Sequence, residues 1–204
     1  MNATPHYPPA AAAPPRYAVV NGLPLAYRPL VPADREHLHA GFRRLSPRSR
    51  YQRFFRSVRD LTAQELAWLT EVDQVHHLAV GAQDVSGAEP VGIAVARCVR
   101  LADRPDAAEP ALTVVDSHQR RGVGAWLMRV LADAARRRGI RSFEGYVFAD
   151  NAPMIAILRR YDVRFELDSG GVYRFVAPLT DSRRQPASEP PALAPAAWPQ
   201  AAWA

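Results

Sequence analysis

Lysine is absent from this 204-residue chain, so all 26 of its Lys-plus-Arg positions are arginines. The chain therefore has no lysine side chain of its own to modify. Cysteine is nearly absent too. The single thiol, Cys98, excludes an intramolecular disulfide and supplies no zinc site by itself. No apolar run approaches the ~20 residues a membrane-spanning helix needs, so no membrane partner is expected. Met1 to Pro15 has no basic start followed by an apolar core. That argues against a secretory leader and makes the cytoplasm the expected location. His76 and His77 have no carboxylate or cysteine at metal spacing, so no metal is expected and both read as structural.

What remains is ordinary for one globular domain: 48% hydrophobic and 23% charged residues. A net charge of +6 favours phosphates, a nucleotide or an acidic protein surface. The arginines are dispersed and no aromatic-basic stacking motif appears, so nucleic acid is not an expected partner. Nothing in the pattern speaks to oligomeric state. Residues 1–16 and 181–204 are Pro/Ala-rich and read as disordered tails, leaving 17–180 as the folded domain.

Inside those limits strands and helices interleave. Leu25 to Leu30 reads as a strand. Asp34 to Arg44 and Pro47 to Arg59 read as helices, the second opened by Ser46-Pro47. Thr62 and Glu65 have capping-box spacing for a third helix to Thr70. His77 to Gly81 and Val91 to Arg100 are expected strands joined at Ser86-Gly87, followed by a strand from Ala111 to Val115. The clearest helix runs from Gly122 to Arg138, with Val123, Leu127, Val130, Leu131 and Ala134 on one face and Gly139 ending it. Phe143 to Phe148 is a strand and Ala152 to Arg160 a helix capped by Asn151. Arg164–Asp168 and Val172–Val176 form a closing hairpin around Gly170-Gly171. The order implies an α/β domain around a mixed sheet.

The most informative stretch is Gln119-Arg120-Arg121-Gly122-Val123-Gly124, set between an apolar strand and a helix. The first backbone N–H groups of a helix lack partners within it, and its dipole adds about half a positive charge at that end. Glycines at 122 and 124 remove the side-chain bulk that would hold an anion away, so a pyrophosphate suits the turn. Arg120 and Arg121 add charge. An ordinary strand-to-helix turn holding two glycines is the plainer reading. The segment matches neither GxxxxGK[ST] nor GxGxxG.

Q-x-x-G-x-G after an apolar strand resembles the acetyl-CoA motif of the GNAT acetyltransferase superfamily. The resemblance covers about residues 25–178 and is closest to the bacterial protein-lysine acetyltransferase branch. It is carried by Leu45 to Phe55, Val95-Ala96-Arg97, Ala108-Glu109, Gln119 to Gly124, Arg138-Gly139-Ile140 and Asp150 to Met154. It implies a GNAT-like mixed, mostly antiparallel sheet flanked by helices, with acetyl-CoA as acyl donor and no metal. The strand Leu112, Thr113, Val114 would hold the pantetheine arm. The amides of Gln119, Arg120, Arg121, Gly122, Val123 and Gly124 would hold the pyrophosphate, and Asn151 would touch the cofactor. Glu109, ten residues before Gln119, would be the general base. Pro110 complicates this, because a proline there needs an edge, a bulge or a splayed strand.

Two family features are missing: Leu158 stands where many relatives carry a thiolate-protonating tyrosine, and Asp162-Val163 replaces the usual Gly-Phe. Tyr146 occupies a position often acidic in relatives. The expectation is an N-acetyltransferase acting on a primary amine, preferably a protein lysine side chain. The alternatives are a small-molecule amine acceptor and a catalytically silent acyl-CoA-binding sensor. Tyr173 could reach the acceptor, and the arginines between Arg43 and Arg59 read mostly as a solvated helix face.

Overall fold

The computed structural model describes residues 13–179; most of both Pro/Ala-rich tails lies outside the described residues. One eight-stranded sheet organises them, in the order β1-β2-β3-β4-β5-β6-β8-β7. The strands are β1 (Arg16–Val20), β2 (Leu23–Pro29), β3 (His77–Asp84), β4 (Val91–Arg100), β5 (Ala107–Val114), β6 (Ser142–Phe148), β7 (Arg164–Leu167) and β8 (Val172–Pro178). All neighbours are antiparallel except β5 and β6. The helices are α1 (Arg35–Arg43), α2 (Pro47–Phe54), α3 (Ala63–Thr70), α4 (Val123–Arg136) and α5 (Ala152–Leu158). The mixed, mostly antiparallel α/β architecture is as expected.

Local chemistry sets most boundaries. Ser46 accepts from the Ser49 amide at 3.2 Å to open α2, and Thr62 and Glu65 complete the capping box of α3. On α4, Val123, Leu127, Met128, Leu131, Ala132 and Ala135 are buried, whereas Val130 and Ala134 sit at the edge of that face. Gly139, at φ 78°, stops the helix, and the Ile140 N–H closes back on the Ala135 carbonyl at 3.1 Å.

Three expectations change. The first strand is half of a hairpin: β1 and β2 turn at Asn21-Gly22, with φ of 48° and 82°, the positive pair a tight two-residue hairpin turn needs. α2 ends at Phe54 rather than Arg59, because Phe55 adopts φ 54° and leaves the helix. β5 begins at Ala107 rather than Ala111, so Glu109 and Pro110 lie within a strand, opposite Val99 and Cys98 of β4.

Candidate donor and acceptor cleft

β5 and β6 part company almost at once. Their only pairs are Ala107 with Ser142 and Ala108 with Phe143, after which the strands diverge. The backbone of β5 from Glu109 to Val114 therefore keeps one edge free of β6. Pro110, which cannot donate to a ladder, falls just past the last parallel pair. The proline and the splay thus occur together.

A cleft fills the gap. α4 and α5 wall it on one face through Gly124, Ala125, Met154 and Ile157, and α2 covers the other through Ser49, Gln52 and Arg53. Glu109, Pro110, Leu112, Thr113 and Val114 line it along β5, and Tyr146 and Val147 along β6. Leu112 and Val114 approach Gly124 so closely that a Cβ there would stand 3.1 Å from Leu112 Cδ2. Thr113 points the other way, as strand alternation requires. It and Arg53 also line a second, largely apolar cavity beneath α1 and α2, walled by Leu38, Phe42, Phe54 and Ile93.

The expected phosphate turn sits at one end of the cleft. Arg120 has φ 58° and Gly122 φ 84°, and Gly122 is the cap from which α4 starts. The Gln119 side chain is structural: its amide donates to the Val114 carbonyl at 3.0 Å and to Ser49 Oγ at 3.2 Å. Asn21, from the β1–β2 turn, donates to the Arg121 carbonyl at 3.1 Å and braces the turn from outside. Arg120 lines the cleft, Arg121 is exposed outside it, and the Val123 side chain is buried in the core. Val123 can therefore offer a ligand only its backbone amide. Asn151 both caps α5, accepting from the Met154 amide at 3.2 Å, and lines the cleft.

Asp116 ties α2 to this end, accepting from the Ser46 amide at 2.9 Å, the Ser46 hydroxyl at 2.8 Å and the Ser49 hydroxyl at 3.0 Å. Burial would raise its carboxyl, but these donors outweigh it and hold the group below the usual range. At its other end α2 leans on β6, with Tyr51 and Phe55 stacked on Phe148 at 5.2 and 4.4 Å between centroids. The helix bridges the split sheet.

Among residues with a proton to exchange, Glu109 is exposed and lines the cleft. Tyr146 is 51% exposed and is the only tyrosine lining the cleft among the described residues. Leu158 is fully buried, and Tyr161 is a packing residue whose phenol burial pushes up to about 12. Tyr173 packs against Phe165 at 5.7 Å and does not line the cleft. Arg53 escaped the sequence reading, in which the arginines of α2 read as a solvated face. Burial lowers it to about 10, opposed by the charge of Glu109, so it is still a cation at neutral pH. Among the described residues no group of three or more His, Cys, Asp or Glu is placed to hold a metal, and no helix is long and apolar enough to cross a membrane.

The mixed, mostly antiparallel sheet and the glycine-opened helix start are those the resemblance implies, and comparison with known proteins agrees. The chain belongs to the acetyltransferase (GNAT) family, whose profile matches residues 40–162. It is 38% identical to Acetyltransferase Pat of Mycolicibacterium smegmatis over 133 residues, covering 65% of this chain and 39% of that protein. An acetyltransferase of Pseudomonas aeruginosa is 31% identical over 134 residues, covering 66% of this chain and 72% of that one. Among solved structures, the GNAT domain of S. lividans PAT superposes with a TM-score of 0.72 at 29% identity, covering 80% of this chain and 96% of that domain. The chain thus spans well under half of the M. smegmatis relative.

Proposed function

We propose that this acetyltransferase moves an acetyl group from acetyl-CoA to a protein lysine side chain, with Glu109 as general base. The observation that carries the proposal is Glu109 itself, set at the fork where β5 leaves β6 and facing the cleft beside the free β5 edge. The cleft suits the donor chemically. The free edge from Glu109 to Val114 can pair with an amide-bearing arm, and the opened turn at Gly122 and Gly124 suits a pyrophosphate. Arg120 and Asn151 flank that end.

The donor supplies an activated thioester; the chain supplies position and proton transfer. A lysine amine has a free pKa of ~10.4, so presenting it neutral at pH 7 costs roughly 4–5 kcal/mol. Glu109 would accept the proton, directly or through one water, and backbone amides of Leu112 to Val114 would polarise the carbonyl. The kinship with the Pat proteins favours a protein acceptor. The test is thiol release from acetyl-CoA with lysine peptides, proteins and small amines, followed by mass spectrometry of the acceptor. Turnover on protein lysine is expected, and Glu109→Gln should lower kcat far more than it weakens CoA binding. Turnover on small amines alone would overturn the acceptor, and an unchanged Glu109→Gln rate would overturn the base.

A further inference from the structure

Two guanidiniums stand on the Glu109 side of the sheet, neither in an ion pair among the described residues, although the charge of Glu109 acts on Arg53 across the cleft. Arg97 on β4 is only 3% exposed and lies opposite Ala111, one same-face step along from Val99 and its partner Glu109. Its Nη2 donates to the Leu69 carbonyl at 3.0 Å and its Nη1 to His77 Nε2 at 3.0 Å. A guanidinium can only donate, so that imidazole is neutral and cannot balance the charge. Arg53 reaches in from α2, with its guanidinium 4.9 Å from the centre of the Phe54 ring, and lines both cavities. Among the described residues neither arginine forms an ion pair with a carboxylate. Burial and the charge of Arg53 lower Arg97 to about 9, so the two cations feel each other.

Guanidiniums held largely out of water without an ion-paired carboxylate, Arg97 buried and Arg53 half-buried, are costly to fold around. They are useful where negative charge develops only during a reaction, since a preorganised cation then stabilises the transition state more than the ground state. We propose that Arg53 is a second catalytic residue, the electrophilic partner of Glu109, which stabilises the thioester oxygen as it becomes negative. This rests on the acyl-transfer reading of Glu109. As the amine lone pair forms the C–N bond, the carbonyl π pair moves onto oxygen and the nitrogen becomes positive. The opposite charges of Arg53 and Glu109 match that developing dipole. Glu109, having released to solvent the proton it first took from the ammonium, accepts the remaining N–H proton, the oxygen pair re-forms C=O, and the C–S bond breaks with its pair on sulfur, which leaves as thiolate. Arg97 stays behind Arg53 and raises the local positive potential without touching the reacting atoms.

The test compares Arg53→Ala, Arg53→Lys and the unchanged chain for kcat, acceptor KM, CoA affinity and melting temperature. The expectation for Arg53→Ala is a loss of about a hundredfold in kcat with KM and CoA affinity within a fewfold. Arg53→Lys should recover part of the rate, and free guanidinium at millimolar, non-denaturing concentration should recover part of it in Arg53→Ala. A rise in KM at unchanged kcat would overturn the proposal in favour of acceptor binding. Failure of both guanidinium and lysine to restore a lost kcat would overturn it in favour of a structural role. Loss of activity in Glu109→Gln with none in Arg53→Ala would sink Arg53 alone and leave the proposed reaction intact.

Discussion

The Cγ of Glu109 lies 3.3 Å from the point where a Cβ on Gly145 would stand. The two diverging strands thus share one small space at their fork, and glycine keeps it clear for the Glu109 side chain. Gly145→Ala should push Glu109 from its place while the phosphate end is untouched. A shift of a few tenths of an ångström at the proposed base should cost about tenfold in kcat. Steady-state kinetics beside calorimetric CoA binding will check this, and equal losses in both would mean general distortion of the cleft.

Gly124→Glu should abolish the thermal stabilisation that CoA confers. Its carboxylate would stand where the pyrophosphate is proposed to sit, and even its Cβ would crowd Leu112 Cδ2 and Ile157 Cδ1 at 3.1 and 3.3 Å. Thermal melts with and without CoA decide it. A retained shift would remove the turn from the donor site.

Stability should fall as pH drops through the range set by His77. Burial, then the charge of Arg97, pushes this imidazole down to about 3, while an unfolded histidine titrates near ~6.5. Between those values the unfolded chain binds a proton that the folded chain refuses, so unfolding gains as pH falls. The contribution is complete above about 6.5, is lost progressively below it, and changes no further beneath about 3. Melting curves from pH 7 to 4 should slope less in His77→Gln than in the unchanged chain.

Asp116→Ala should loosen α2. Three donors from Ser46 and Ser49 would lose their acceptor, an effect of about 1 kcal/mol for a partly solvated cluster, seen as a lower urea midpoint. Because α2 carries Arg53, kcat should fall more than that destabilisation explains.

The sequence made the punctuation of this fold legible wherever a residue acts on its near neighbours. Ser46, Thr62 and Asn151 cap the helices expected of them, and the Gln119 to Gly124 turn opens α4. Asn21-Gly22 is an equally local hairpin signal inside the 17–180 domain, and a reading that starts the first strand at Leu25 passes over it. The start of β5 was less accessible. Glu109-Pro110 reads locally as loop, and only pairing with β4 across Cys98 and Val99 makes it strand. Arg53 and Arg97 were out of reach for a deeper reason. They are 44 positions apart, and only the packing of α2 across β4 and β5 makes one charged site of them.

The family match begins at residue 40, yet Asn21 holds the Arg121 carbonyl, and a Cβ on Gly122 would collide with the Asn21 amide nitrogen at 2.6 Å. Borders drawn by resemblance and borders drawn by mechanics therefore differ. A fragment cut where the family likeness starts would keep every atom able to touch a donor and discard the brace that shapes the turn. Domain grafts and truncations of this chain should begin ahead of Arg16, since the β1–β2 hairpin acts as a buttress to the proposed anion site a hundred residues away.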